Sequence, residues 1–153
     1  MAESTPVFVR PAESGDAMTW RAHRDAAVLE SSRYRGERWS PEQSLDRDSG
    51  DVESTIVLVA GVGASVFGSV SATEGPNGRW WIDHVFVEEL AREVGIGDAL
   101  MNALVDEVRS RGGVRLGSSA QPGDRSLKNL FERHGLVART ILVGRDLSVG
   151  DDD

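Results

Sequence analysis

The sequence predicts an α/β domain built on one mixed, mostly antiparallel sheet with helices on both faces. Three observations predict it. Residues 52–60, 64–73 and 79–87 are apolar, β-branched runs joined by two short glycine-containing turns, which reads as an antiparallel meander of three strands. Residues 85–111 then pass from strand to glycine loop to long amphipathic helix, and a further strand-like run follows at 114–120, so the chain makes a β-α-β crossover, expected to be right-handed and parallel. Helical patterns lie before the meander, inside the crossover and after it, which places helices on both faces of a mixed sheet. The full order reads β-α-α-β-β-β-α-β-α-β, in a single domain over residues 6–148 with flexible ends at 1–5 and 149–153.

Each element has a local reason. Residues 7–10 form a short strand that Pro11 breaks, and Ser14-Gly15-Asp16 supplies a turn and an N-cap. Residues 17–33 read as a helix rich in alanine and charge. Residues 34–51 hold Gly36, Pro41 and Gly50 among many charges, and are expected to be a loop with a short helix capped by Ser40 and started by Pro41. So long a polar excursion is expected to cover a site. Gly61–Gly63 turns the chain between the first two meander strands, and Gly75-Pro76-Asn77-Gly78 is the strongest turn signal present. After the crossover helix, Gly112-Gly113 ends it, residues 121–125 form a loop, residues 126–134 a helix ending at Gly135, and residues 136–147 a final long strand.

Composition narrows the class of activity. The chain has 153 residues, enough to bury a real core. It has no cysteine, so disulfides and thiolate metal sites are excluded, which fits the cytoplasm. No apolar run is long enough for a leader or a membrane span, so no membrane partner is expected. A net charge of −8 argues against nucleic acid as a partner and is compatible with a cationic substrate.

The most informative stretch is the loop Arg92-Glu93-Val94-Gly95-Ile96-Gly97 and the helix it opens. Glycine lets a backbone approach a ligand without a Cβ in the way. The first helical turn carries unpaired N–H groups and a partial positive charge, so the two together make an anion site best suited to phosphate. The loop is not a Walker loop, because no Gly-Lys-Ser/Thr ends it, and it is a poor dinucleotide fingerprint, because no βαβ unit with an acidic strand end follows in register. Ile96, Leu100, Leu104 and Val108 recur every four residues, the apolar face of a helix lying on a sheet.

That element order, with an R-x-x-G-x-G run after the fourth strand, resembles the GNAT superfamily of N-acetyltransferases. Further resemblance lies in the strand Ile82-Asp83-His84-Val85-Phe86-Val87, in the later helix Asn129-Leu130-Phe131-Glu132-Arg133-His134-Gly135-Leu136, and in the opening Val9-Arg10-Pro11-Ala12 with Asp16 before a helix. It covers roughly residues 7–147. The resemblance implies that acetyl-CoA is the cosubstrate and that no metal is used. It would lie where strand 79–87 splays from strand 114–120. The pyrophosphate would rest on the backbone of Arg92, Glu93, Val94, Gly95, Ile96, Gly97 and Asp98, with the Arg92 side chain remaining as a phosphate partner. The pantetheine would pair with the backbone of Val85, Phe86 and Val87, near Asp124 and Phe131. The acceptor, a small-molecule or protein amine, would attack the thioester directly, with the N–H of Val87 stabilising the oxyanion.

An amine must be neutral to attack, so a base is useful near pH 7. Strict alternation places Trp81, Asp83, Val85 and Val87 on one face of their strand, which makes Asp83 the first candidate base and puts His84, the second, on the opposite face. The plainer readings are a sheet carboxylate paired to Arg79 or another cation, and a satisfied inter-strand histidine. One of Trp80 and Trp81 is expected in the core and the other at the acceptor cleft or a dimer surface. Arg33, Arg35 and Arg38, alternating with Tyr34 and Trp39, read either as an acceptor or adenosine-phosphate contact or as a solvated helix end.

Three positions depart from the family pattern. Phe131 stands where a thiolate-protonating tyrosine is often found, Glu93 and Val94 where glycine and a basic residue are usual, and Asp124 where an asparagine often starts the later motif. These departures keep a rival reading open, a non-catalytic acyl-CoA-binding module acting as a sensor or partner, and beyond it a structural domain without cosubstrate. Many family members are dimers, so a homodimer is also open.

Overall fold

The computed structural model describes residues 6–34, 55–141, 143–145 and 147–148. Its strands are β1 (Val7–Pro11), β2 (Thr55–Val62), β3 (Ser65–Glu74), β4 (Arg79–Val87) and β5 (Arg115–Gly117). Its helices are α1 (Ala17–Ser31), α2 (Ile96–Ser110) and α3 (Arg125–Arg133). The strands form one sheet in the order β1-β2-β3-β4-β5, antiparallel throughout except for the parallel pair β4–β5. The mixed α/β class read from the sequence is the observed one.

The core lies between the sheet and α2. Ile96, Leu100, Met101, Leu104 and Val108 all point inward from that helix. They meet Ile56, Leu58, Ala60, Val70, Ala72 and Ile82 from the central strands. Each fully buried aliphatic side chain of this size stabilises the fold by roughly 1.5–3 kcal/mol. The helix can sit this close because β3 carries glycine beneath it. A Cβ on Gly68 would lie 2.9 Å from Ile96 Cγ2 and 3.0 Å from the Phe86 carbonyl oxygen, too near for any other residue.

The opposite face is covered differently. Helix α1 lies on β3 and β4 but buries only His23, while Met18, Val28 and Leu29 stay exposed. Its start is fixed electrostatically: Arg10 on β1 donates to both carboxylate oxygens of Asp16, at 2.6 and 3.1 Å. The Arg10 bond is the main reason the Asp16 carboxyl is lowered to about 2. The α1 face is therefore polar, and it carries both candidate bases, Asp83 and His84.

Several expected boundaries move. Gly61 falls inside β2 at a register shift, not in the turn. The expected short helix at Ser40 and residues 52–54 of the second strand lie outside the described residues. Strand 114–120 shortens to Arg115–Gly117, because β4 stops pairing with it. No described residue of 136–147 forms a strand, and Val137, Ile141, Val143 and Leu147 are exposed. A strand needs an edge to pair with as well as an alternating pattern, and this segment pairs with no edge among the described residues.

Candidate active site

The site begins where two strands part. Strand β4 pairs with β5 only at Arg79–Arg115, Trp80–Leu116 and Trp81–Gly117. The Ser118 hydroxyl then donates to the Ile82 carbonyl at 3.0 Å, and β4 runs on to Val87 without β5. On the other side, β4 stays paired to β3, with a register shift that sets Ser71 opposite His84 but Ala72 opposite Ile82. Asp83 is the extra residue of this bulge. Bulges bend and twist a strand and are frequent beside active sites.

Ladder alternation decides which backbone groups face the open edge. The Glu88 N–H donates to the Phe67 carbonyl at 2.8 Å, so Glu88 turns toward β3. Backbone groups alternate sides along an antiparallel strand, so Val87 and Val85 face the opening and Phe86 faces β3. Of the three residues expected to pair with pantetheine, two present their backbone to the gap. Phe86 presents a ring, 5.4 Å from His23 and 5.4 Å from the Arg92 guanidinium.

The open edge leads into the glycine loop. Gly95 is the N-cap of α2 at φ 86, a left-handed conformation that favours glycine. Glu93 holds φ 74, which is strained for a side-chain-bearing residue. The N–H groups of the first turn, beginning at Ile96, have no acceptor within their own helix. The Arg92 guanidinium is used elsewhere than expected. Its Nε donates to the Val87 carbonyl at 2.8 Å, and its two NH groups clamp Glu30 of α1 at 3.0 and 3.1 Å. It ties α1 to the end of β4.

Helix α3 closes the far side. Gly97 faces it, with a Cβ there reaching Leu130 at 3.6 Å and Val87 at 3.8 Å. Asp124 is the N-cap of α3 and accepts from the Leu127 N–H at 3.2 Å. Phe131 is 6% exposed and belongs to the core, so the usual tyrosine position offers no hydroxyl. Asp98 joins α2 to α3, 2.7 Å from His134 Nε2 and 3.1 Å from Arg133 Nε. The His134 hydrogen bond is the main cause of its lowered pKa. Tyr34, at the end of α1, stands beside Gly123 in a cavity of about 380 Å³ shared with Arg33 and Pro122.

The bulge also changes the faces of β4. Directly opposite residues share a face, so His84, opposite Ser71, joins Trp81 and Phe86 on the α1 side, while Val85 and Val87 join the α2 side. Asp83 lies on the α1 side too, accepting from the Thr73 hydroxyl at 2.6 Å. The two candidate bases therefore stand on one side of the sheet, not on opposite sides. Trp80 is the core tryptophan of the pair. Asp83 lines a cavity of about 340 Å³ with Trp20, Arg24, Thr55, Val57, Ser71 and Thr73. His84 is 4% exposed and held between Ser71 Oγ (2.7 Å) and Ser69 Oγ (2.9 Å). Burial is the main reason it is lowered to about 4, so it is neutral at pH 7. Sequence reading passed over Ser69, Ser71 and His23. The signal was there in Ser69-Val70-Ser71-Ala72-Thr73, whose small polar residues alternate with core residues along one strand.

Comparison with known proteins agrees with this geometry. The acetyltransferase (GNAT) family profile matches residues 19–136. Aminoglycoside N-acetyltransferase AAC(6')-Iy in complex with CoA superposes with a TM-score of 0.68 at 14% identity, over 97% of this chain and 99% of that one. A predicted acetyltransferase from Clostridium acetobutylicum with acetyl-CoA gives 0.64 at 14% identity, over 93% and 97%. Ribosomal-protein-alanine N-acetyltransferase from Brucella melitensis biovar Abortus 2308 gives 0.61 at 18% identity, over 93% and 98%. No curated protein matches the sequence. With more than half of its length matched by the family profile, and a parted β4–β5 pair running into a glycine loop at a helix start, the chain belongs to the GNAT acetyltransferase family.

Proposed function

We propose that this chain moves an acetyl group from acetyl-CoA to a primary amine by direct attack of the amine on the thioester. One observation carries the reading: the freed edge of β4 lies between the glycine loop at Gly95 and the polar cavity lined by Asp83 and Arg24. The loop backbone from Glu93 to Asp98 would take the pyrophosphate, as a helix start does. Val85 would pair with the pantetheine amides, and the N–H of Val87 would meet the oxyanion. Asp83 would receive the amine and take its proton. The net charge of −8 favours a cationic acceptor.

Isothermal titration with acetyl-CoA, with CoA and AMP as controls, tests the cosubstrate. A panel of amines then follows, scored by release of free CoA. Because structural neighbours act on aminoglycosides and on ribosomal-protein alanine, the panel includes an aminoglycoside and an alanine-initiated peptide. Micromolar binding with amine-dependent CoA release is the expected result. Binding without turnover on any amine favours the sensor reading, in keeping with Phe131 in the tyrosine position. No binding removes the acetyltransferase reading.

The loop makes its own prediction. Glu93→Gly removes a strained φ and a carboxylate beside the phosphate path. One charge a few ångströms away in water is worth about 1 kcal/mol, so acetyl-CoA should bind about threefold to fivefold tighter. Relief of strain should leave thermal stability equal or slightly higher, since the left-handed region costs a non-glycine residue about 1–2 kcal/mol. Weaker binding in the variant would show that Glu93 contributes to the cradle.

A further inference from the structure

Behind the cavity at Asp83, five side chains are hydrogen-bonded in a row. Ser71 Oγ, which lines the cavity, meets His84 Nδ1 at 2.7 Å. His84 Nε2 meets Ser69 Oγ at 2.9 Å. Ser69 Oγ meets His23 Nδ1 at 2.9 Å, and His23 Nε2 meets Glu88 Oε2 at 3.1 Å. The row crosses from β3 and β4 to α1 and returns to the residue that follows β4. Ser69, Ser71, His23 and His84 are all buried, whereas the Glu88 side chain is 46% exposed.

The direction of each bond depends on the histidine tautomers, and one assignment makes the row continuous. In it His23 carries its proton on Nε2, toward Glu88, and accepts at Nδ1. The Ser69 hydroxyl therefore donates to His23, and its oxygen accepts from His84 Nε2–H. His84 Nδ1 must then accept from the Ser71 hydroxyl. That leaves the Ser71 oxygen as an acceptor at the wall of the cavity. Buried polar groups always need partners, but satisfaction alone requires only pairs. In this assignment one polarity runs unbroken from a cavity to a solvent-reaching carboxylate.

We propose that Ser71, His84, Ser69, His23 and Glu88 form a proton relay that carries the acceptor's proton out of the cavity beside Asp83. The proposal rests on the acetyltransferase reading. It answers a need that reading creates, because an acceptor filling the cavity shuts water away from Asp83. Asp83 takes the proton from the amine and gives it up to the Ser71 oxygen across the cavity they share, and Ser71 passes its own to His84 Nδ1. His84 gives up its Nε2 proton to Ser69, Ser69 gives its own to His23 Nδ1, and His23 releases its Nε2 proton to Glu88. One proton enters at Ser71, one leaves at Glu88, and the amine lone pair is free to bond the acetyl carbon. Of these five, Ser71 lines the acceptor's cavity and the other four act through it. The charged and titratable groups facing His84 are His23 and Arg24 from α1 and Asp83 from its own strand. Of these, His23 is bonded directly to Glu88.

Glu88→Gln tests the relay, because the carboxamide oxygen still accepts from His23 but cannot take a proton. The expected result is a fall in kcat of about tenfold to hundredfold at pH 7, within the reach of general-base catalysis. The loss should shrink as pH rises, with acetyl-CoA affinity unchanged. Ser69→Ala should reproduce it and Ser69→Thr should restore the rate. Histidine 15N spectra of the full chain should show both rings neutral with the proton on Nε2. An unchanged pH–kcat profile in Glu88→Gln, or a His84 proton on Nδ1, overturns the relay alone. A chain that binds acetyl-CoA yet acetylates no amine overturns the acetyltransferase reading, and the relay's role with it.

Discussion

Gly97→Trp is expected to abolish acetyl-CoA binding while the chain still folds. Gly97 is the second residue of α2, and its Cβ direction points between Leu130 of α3 and Val87 at the end of β4. That space lies where the cradle meets the open edge. An indole there would fill it and hold any phosphate away from the first-turn N–H groups. Charge-assisted hydrogen bonds contribute about 1.5–3 kcal/mol each, so losing two weakens binding by roughly a hundredfold or more. Gly97→Ala is the control. Its methyl would meet Leu130 at 3.6 Å, an ordinary contact, so it should fold and bind far better than the tryptophan variant. Titration reads the affinity and a thermal melt checks the fold. Wild-type affinity in a folded Gly97→Trp chain would move the pyrophosphate away from this loop.

What the sequence made legible follows from period. The four-residue spacing of Ile96, Leu100, Leu104 and Val108 is a local property of a helix on a sheet, and the structure buries all four. The meander was readable because two turn signals separate three apolar runs, and β2, β3 and β4 pair as neighbours. What depends on one inserted residue was not readable. Nothing in Arg79–Val87 announces that Asp83 is the extra residue of a bulge, so strict alternation put His84 on the wrong face. Contacts across long separations were also hidden. Arg92 near a phosphate loop looks like a phosphate ligand until Glu30, sixty-two residues earlier, takes its guanidinium. Strand patterning in 136–147 was real as pattern, but no partner edge meets it among the described residues.

Asp83→Asn separates the carboxylate from the relay behind it. The carboxamide keeps the shape and an oxygen for the Thr73 hydroxyl, so the cavity wall should stand. On the proposed reading it removes the anion that would draw in a cationic amine and the group that would take its proton. With a general base lost, turnover should fall by about a hundredfold near pH 7. The size of the loss should depend on pH in one direction. A primary amine of lysine type is protonated below about pH 10, so the neutral fraction that reacts unaided rises about tenfold per pH unit up to that point. The gap between wild type and variant should therefore be widest at low pH and narrow as pH rises. His84 does not enter this window, because it is lowered to about 4 and stays neutral across it. A parallel fall at all pH values would assign Asp83 to binding alone, with a raised KM for the amine. An unchanged profile would remove Asp83 from the proton path and leave Ser71 as the first acceptor.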